Sequence, residues 1–145
     1  MAAVKFEVLA VGKLKDPSLE ALCADYSQRI RRYAALDTIE VKNDRALLGL
    51  FPRDGRVVAL EVSGKPQTST GFAETLQRWV EAGQSPIAFV IGGAEGIPPS
   101  IRQRAALQLS LSNMTLPHRL ARLVLLEQVY RAMTIWRNEP YAREN

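Results

Sequence analysis

The sequence predicts an α/β domain with a mostly parallel β-sheet and helices on both faces. Segments with strand character alternate along the chain with segments of helical periodicity, and two of the strand segments are apolar throughout. A strand that is apolar on both sides needs cover on both faces of its sheet, as in parallel α/β proteins. At 145 residues with 47% hydrophobic residues, the chain is expected to form a single domain over residues 1–145.

The first part of the chain contains three predicted strands and one helix. A strand over Val4–Gly12 precedes Asp16 and Pro17, which are typical of a helix cap and a first helical turn. Strands over Asp37–Lys42 and Arg56–Val62 follow, and the segment 43–55 between them has no clear pattern. The helix is expected to turn these residues inward: Leu19, Leu22, Cys23, Tyr26, Ile30 and Tyr33.

The second part predicts a helix from Thr68 to about Gly83 and a fully apolar strand over residues 86–93. A helix over about Pro98–Leu107 and a short strand over residues 109–112 come next. The chain then forms a long helix over about Pro117–Arg137. This order of strands and helices shows no repeat and no linker.

The long final helix predicts a homodimer. Its apolar residues occupy most of its circumference, so it needs cover on more than one side, and a domain this small has cover for only one. Glu127 and Arg131 lie four residues apart and predict an ion pair on the exposed side or at its rim. The apolar residues are Leu120, Leu123, Val124, Leu125, Leu126, Val129, Tyr130, Met133 and Trp136.

Composition narrows the classes of function. A net charge of +4 is compatible with an anionic partner such as nucleic acid but does not require one. Cys23 is the only cysteine and His118 the only histidine, so no metal site and no intrachain disulfide are expected. The first residues lack the apolar core of a signal peptide and the length of a membrane span, so we expect a cytoplasmic protein without membrane attachment.

A glycine-rich stretch, FVIGGAEGIPPS (residues 89–100), follows the second apolar strand. Gly92, Gly93 and Gly96 lie where its carboxyl end is expected, the edge at which α/β sheets bind ligands. Glycines there let backbone amides approach a ligand, although a tight strand-to-helix turn without a ligand is an equal alternative. A dinucleotide site is disfavoured, because the spacing is Gly-Gly-x-x-Gly and no acidic residue follows about 20 residues later.

A second polar stretch, SLSNMTLPHRL (residues 110–120), leads into the long helix, where Thr115 or a neighbour is placed to cap it. Capping alone explains this stretch, and a lone histidine beside a helix start is more often structural than catalytic. If the stretch holds a ligand, His118 is well placed to act on it. The tail, RNEPYAREN, offers Tyr141 for stacking and Arg143 for a phosphate or base of RNA.

Five segments together resemble the RlmH family of SPOUT methyltransferases: LAVGK, LEVSGKP, IGGAEG, LSNMTLPHRLARLVLLEQVYRA and NEPYARE. The resemblance covers nearly the whole chain. It implies an enzyme that methylates N3 of a pseudouridine in 23S ribosomal RNA with S-adenosylmethionine. It also implies a C-terminal trefoil knot, which periodicity does not predict, and a homodimer in which each site borrows residues from the other subunit.

The resemblance also implies site residues. Those expected to face the RNA base are His118, Tyr141 and Arg143. Two departures from the family stand out: its tail often reads PYHRE where this chain has Ala142, and the segment between Lys42 and Arg56 is shorter. The expected cofactor-binding residues are Leu60, Gly93, Ser112, Asn113, Met114, Thr115, Leu116 and Pro117.

Methyl transfer from a sulfonium needs an aligned nucleophile in its anionic form. In this interpretation Arg143 stabilises the anionic base and Tyr141 stacks on it or orients it. His118 assists removal of the proton from the base. Two other functions stay open from the sequence: a non-catalytic RNA-binding homodimer, and a nicotinamide-dependent oxidoreductase that uses the same glycines.

Overall fold

The protein, described here by a computed structural model over residues 4–144, contains a five-stranded parallel sheet in the order β2-β1-β4-β3-β5. The predicted α/β class with a parallel sheet is confirmed. The strands are β1 (Lys5–Val11), β2 (Ala35–Val41), β3 (Arg56–Pro66), β4 (Ile87–Ile91) and β5 (Leu107–Ser110). The helices are α1 (Pro17–Ile30), the 3-10 helix η1 (Asp44–Leu50), α2 (Ser69–Glu81), α3 (Pro99–Arg104), α4 (His118–Trp136) and α5 (Tyr141–Glu144).

Alternate side chains of the central strands enter two separate cores, one on each face of the sheet. From β1, Phe6 and Val8 join the larger core with residues of α1, α2 and α4. Leu9 of β1 points the other way and packs with Leu47 of η1 and Ile101 of α3. Helices therefore cover both faces as predicted, with α1, α2 and α4 on one face and η1 and α3 on the other.

Local caps explain where the helices begin. The Asp16 carboxylate accepts the N–H groups of Ser18 and Leu19 and starts α1, and the Thr68 hydroxyl accepts the Gly71 N–H and starts α2. The cap at Asp16 agrees with the sequence prediction, and α2 begins within one residue of the predicted Thr68. Within residues 4–144, none of the helices is long and apolar enough to cross a membrane.

Several sequence predictions were wrong in detail. Strand β2 begins at Ala35 rather than at Asp37, and β3 continues to Pro66 instead of ending at Val62. Leu22, expected inward, is 46% exposed, because the buried stripe of α1 runs through Cys23, Ser27 and Ile30. Helix α3 ends at Arg104 rather than near residue 107, and β5 begins at Leu107 rather than at 109. The last strand begins early because the Ala106 N–H donates a hydrogen bond of 2.8 Å to the Val57 carbonyl of β3.

Strand β3 carries an irregularity beside the site described below. Both Leu60 and Lys65 pair with Leu109 of β5, so the four residues between them bulge from the ladder. The bulge needs glycine at position 64, because a Cβ on Gly64 would lie 2.6 Å from the Gln108 carbonyl oxygen. The trefoil knot stays a prediction, since strand order and register do not describe how the chain threads.

Replacing Phe89 by alanine should strongly destabilise the fold. Its ring is fully buried in β4 and lies 6.0 Å from the Phe6 ring and 6.1 Å from the Phe72 ring, between centroids. Loss of a buried phenylalanine costs about 3–5 kcal/mol in free energy of unfolding, which urea denaturation at fixed protein concentration measures. Leu48→Ala, at a side chain 43% exposed, is the control and should change stability by less than about 0.5 kcal/mol. Equal losses in the two variants would contradict this account of the core.

Candidate functional site

A pocket of about 330 Å³ lies at the carboxyl ends of β3, β4 and β5. Its wall combines the bulge of β3, the glycine turn (residues 92–97), the segment 111–116 and the first turn of α4. Asn113, Thr115 and Pro117 are exposed and lie outside this wall. The pocket brings together six residues that the sequence analysis singled out: Leu60, Gly93, Ser112, Met114, Leu116 and His118.

The carboxylate of Asp44, the first residue of η1, binds the backbone of the glycine turn. The Gly93 N–H donates to Oδ1 at 2.7 Å and the Glu95 N–H donates to Oδ2 at 3.0 Å. The Gly96 N–H donates within the turn to the Gly93 carbonyl at 3.2 Å. The sequence analysis left two alternatives open for this turn, amides that approach a ligand or a tight turn without one, and the amides of Gly93, Glu95 and Gly96 have partners inside the protein.

The turn needs glycine because the chain passes very close to its neighbours. A Cβ on Gly93 would lie 2.8 Å from Cγ1 of Val11, and one on Gly92 would lie 3.0 Å from both Asp44 Oδ1 and Ile97 Cγ1. Contacts this short force the neighbouring atoms to move. The glycines therefore serve close packing of the turn between β1 and η1, beside the pocket.

The segment after β5 is braced by two of its own serines. The Ser110 hydroxyl donates to the Ser112 carbonyl at 2.8 Å, and the Ser112 hydroxyl accepts the Met114 N–H at 2.9 Å. The predicted cap by Thr115 or a neighbour was wrong: Pro117 stands at the N-cap of α4, and no side chain of the described residues caps the helix. The first turn of α4 thus keeps uncapped N–H groups beside the pocket.

Two acidic residues at the site escaped the sequence analysis. Asp44 is only 4% exposed and belongs to the segment that showed no pattern. Glu61 lines the pocket from the bulge of β3, with Oε1 3.8 Å from Nε of Arg102. Neither position carries a sequence signal for the site, since each reaches it through the fold. Among residues 4–144, no group of three or more His, Cys, Asp or Glu is arranged to hold a metal ion.

The tail residues lie away from the pocket of their own chain. The Tyr141 hydroxyl donates to Glu127 Oε2 at 2.8 Å, and its ring meets Tyr130 edge-on at 4.7 Å between centroids. Arg143 donates to Oδ1 of Asn138 at 3.0 Å, beyond the end of α4. Glu127 follows His118 by about 14 Å of helix rise. One chain therefore does not assemble His118, Tyr141 and Arg143 in one place.

The predicted ion pair on α4 is confirmed, but it is less exposed than expected. Arg131 Nη2 lies 2.8 Å from Glu127 Oε2, and the two side chains are 15% and 20% exposed. Tyr141 accounts for part of this cover, because its hydroxyl shares Oε2 and its ring lies 5.1 Å from the Arg131 guanidinium. The pair anchors the tail to α4.

Comparison with known proteins identifies relatives over nearly the whole chain. A family model described as a predicted SPOUT methyltransferase matches residues 4–142. A ribosomal RNA large subunit methyltransferase H from Sorangium cellulosum is 46% identical, and the match covers 96% of this chain and 99% of that protein. Proteins of the same name from Anaeromyxobacter dehalogenans and Bacillus pumilus are 42% and 38% identical, with 95% of this chain and 99% of each relative covered.

A solved structure supports the fold. The SpoU methyltransferase AviRb from Streptomyces viridochromogenes, crystallised with AdoMet, matches with a TM-score of 0.52. The match covers 88% of this chain and 57% of that one, at 13% sequence identity. At this identity the likeness extends to the arrangement of strands and helices.

The Tyr141 hydroxyl is expected to stay protonated through the neutral and mildly alkaline range. Burial, and then its hydrogen bonds with Tyr26 and Glu127, raise the pKa of Tyr141 above the ordinary tyrosine value of about 10. Its stabilising contribution is therefore complete below pH of about 10 and is lost as the pH rises further. Ultraviolet difference titration of wild type against Tyr141→Phe measures this, and a phenolate signal at or below the ordinary value would contradict it.

Proposed function

Because this chain belongs to the SPOUT methyltransferase family, we propose that it transfers a methyl group from S-adenosylmethionine to N3 of a pseudouridine in 23S ribosomal RNA. The names of the three relatives, which cover almost their entire length, support a ribosomal RNA of the large subunit as substrate. With a substrate in the ribosome, the protein would act in the cytoplasm. The observation that carries the proposal is the pocket shared by the glycine turn and the segment 111–116.

The pocket fits an adenosine-containing cofactor. Its volume of about 330 Å³ falls in the range of small-molecule sites, and apolar side chains dominate its wall, among them Ile91, Leu109 and Leu116. The uncapped first turn of α4 offers N–H donors to a carboxylate. S-adenosylmethionine would supply an electrophilic methyl group there. Of the proposed cofactor-binding residues, the first five line the pocket and the last three are neighbours that the resemblance adds: Leu60, Gly93, Ser112, Met114, Leu116, Asn113, Thr115 and Pro117.

The active unit is proposed to be a homodimer formed through α4. Leu120 on this helix is 38% exposed, and Leu123 and Val124 are half-buried, so an apolar strip remains for a second copy. Within one chain Tyr141 and Arg143 lie away from His118. In a dimer, Tyr141 and Arg143 of the partner subunit would complete a site that contains His118. This arrangement agrees with the resemblance, which implies shared sites.

The chemistry assigned to the protein is alignment and charge stabilisation. N3 of a pseudouridine is a weakly acidic imide nitrogen, so its anion needs a nearby cation more than a strong base. Arg143 would stabilise that anion, and neutral Tyr141 would stack on the base or orient it. His118, which borders the pocket, would assist proton removal, and Ala142 leaves it as the one histidine for this task. A loop or flipped nucleotide suits this site, because a duplex hides N3.

The structure disfavours the nicotinamide alternative. A dinucleotide site uses free backbone N–H groups of a glycine-rich turn to bind a pyrophosphate. Here the Gly93 and Glu95 N–H groups already bind the Asp44 carboxylate, whose charge would repel a phosphate. A non-catalytic RNA binder would have no use for this pocket, and the variants below separate it from the enzyme.

Gly93→Val and Arg143→Ala should both abolish methyl transfer, but at different steps. The valine would clash with Val11 and distort the turn, so S-adenosylmethionine binding should fall with it. Arg143→Ala should keep cofactor affinity and lose transfer to ribosomes that lack the modification. Calorimetry with S-adenosylmethionine and mass spectrometry of the methylated RNA measure the two steps.

Gly49→Val is the matched control, because a Cβ on Gly49 meets nothing within 4 Å. It should bind cofactor and methylate RNA as the wild type does. Normal turnover by Arg143→Ala would end the assignment of that residue, and cofactor-independent RNA binding without any methylation would favour the non-catalytic binder.

Mixing the two inactive variants should restore activity if sites are shared between subunits. In a mixed dimer one site combines the intact pocket of the Arg143→Ala chain with the intact tail of the Gly93→Val chain. After random subunit exchange about a quarter of wild-type activity is expected, since half of the dimers are mixed and each has one intact site. Absence of any recovery, with exchange verified by mass spectrometry of the intact dimers, would show that each chain uses its own tail.

A further inference from the structure

We propose that Asp44 is a positioning residue that also selects the ligand: its carboxylate fills the amide donors of the glycine turn and so favours a cofactor without phosphate. The proposal rests on the proposed use of S-adenosylmethionine and adds a residue to that site. It also gives a role to the segment 43–55, in which the sequence showed no clear pattern.

The contacts are direct and buried. Each oxygen of the Asp44 carboxylate accepts one backbone N–H of the turn, from Gly93 at 2.7 Å and from Glu95 at 3.0 Å. The side chain is 4% exposed and lies against the bare Cα of Gly92 and Gly93, where a Cβ would come within 3.0 and 3.3 Å of its oxygens. The Asp44 carboxylate thus contacts the turn through two hydrogen bonds and close packing, the kinds of contact by which a site binds an anion.

The scaffold holds this carboxylate in place before any ligand arrives. Leu47, one turn further along η1, is fully buried in the smaller core with Leu9 and Ile97. The Asn43 side chain caps η1 by accepting the Ala46 N–H at 2.9 Å. Because η1 is fixed at both points, the Asp44 carboxylate is held where it can position the turn.

The chemical consequence concerns anions. Successive backbone N–H groups after a strand form a concave site for phosphate, the feature that nucleotide-binding turns use. In this chain the Asp44 carboxylate accepts the N–H groups of Gly93 and Glu95. A phosphate would have to displace this carboxylate and would be repelled by its charge. S-adenosylmethionine has no phosphate and carries a sulfonium and an ammonium, so the same charge does not oppose it.

The test compares Asp44→Ala with wild type for binding of S-adenosylmethionine and of adenosine diphosphate. Loss of the carboxylate leaves two amides of the turn without their charged acceptor and so should weaken S-adenosylmethionine binding by about 10- to 100-fold. The ratio of adenosine diphosphate affinity to S-adenosylmethionine affinity should be higher in the variant than in wild type. Formate, a free carboxylate, should fill the vacated space and recover part of the lost affinity.

Two further variants keep the result interpretable. Asp44→Asn retains the shape and one acceptor oxygen, so it should bind with intermediate affinity and respond weakly to formate. Asp54→Ala removes an exposed carboxylate of the same segment and should match wild type, with no effect of formate. If Asp44→Ala is too unstable to purify, the asparagine variant alone must still show the shifted preference for adenosine diphosphate.

Unchanged affinity in Asp44→Ala would overturn the proposal, as would weakened binding that formate does not improve and that leaves the preference between the two ligands unaltered. These failures differ from failure of the proposed function. In that case the wild-type protein itself would not bind S-adenosylmethionine.

Discussion

Close approach of backbone at one edge of the parallel sheet is the constraint on which the site depends. Because β3, β4 and β5 run in the same direction, the segments that follow them or bulge from them meet at one end. They fit there only because Gly93 has no Cβ to meet Val11 and because Gly64 tolerates contact with the Gln108 carbonyl. Asp44 then satisfies two amide groups that this crowding would otherwise leave without a partner.

Helix α4 connects the two halves of the proposed chemistry. Its first turn borders the pocket through His118 and Ala121, and its far part holds the tail through Glu127 and Tyr130. A rigid helix keeps these ends apart, so one chain presents the pocket and the tail at different places. The same helix leaves Leu120 exposed and Leu123 and Val124 half-buried, so the proposed dimer and the proposed completion of the site would have a common physical origin.

Local signals in the sequence predicted much of the fold. Apolar strands placed β3 and β4, a cap residue placed the start of α1, and periodicity placed α4 to within one residue at each end. The errors fall where tertiary contacts override local pattern. Strand β5 begins early because Ala106 pairs with Val57, and Leu22 faces outward because the packing of α1 selects Cys23 and Ile30.

By itself the sequence determined the α/β class, the family resemblance and the two loops that meet at the pocket, since each is carried by neighbouring residues. Only the tertiary structure decided that the amides of the glycine turn belong to Asp44, which precedes Gly93 by 49 residues. It alone also separated His118 from Tyr141 and Arg143. Periodicity and capping describe interactions within a few residues, whereas these relations arise from strand order, which the chain acquires only when distant segments pack together.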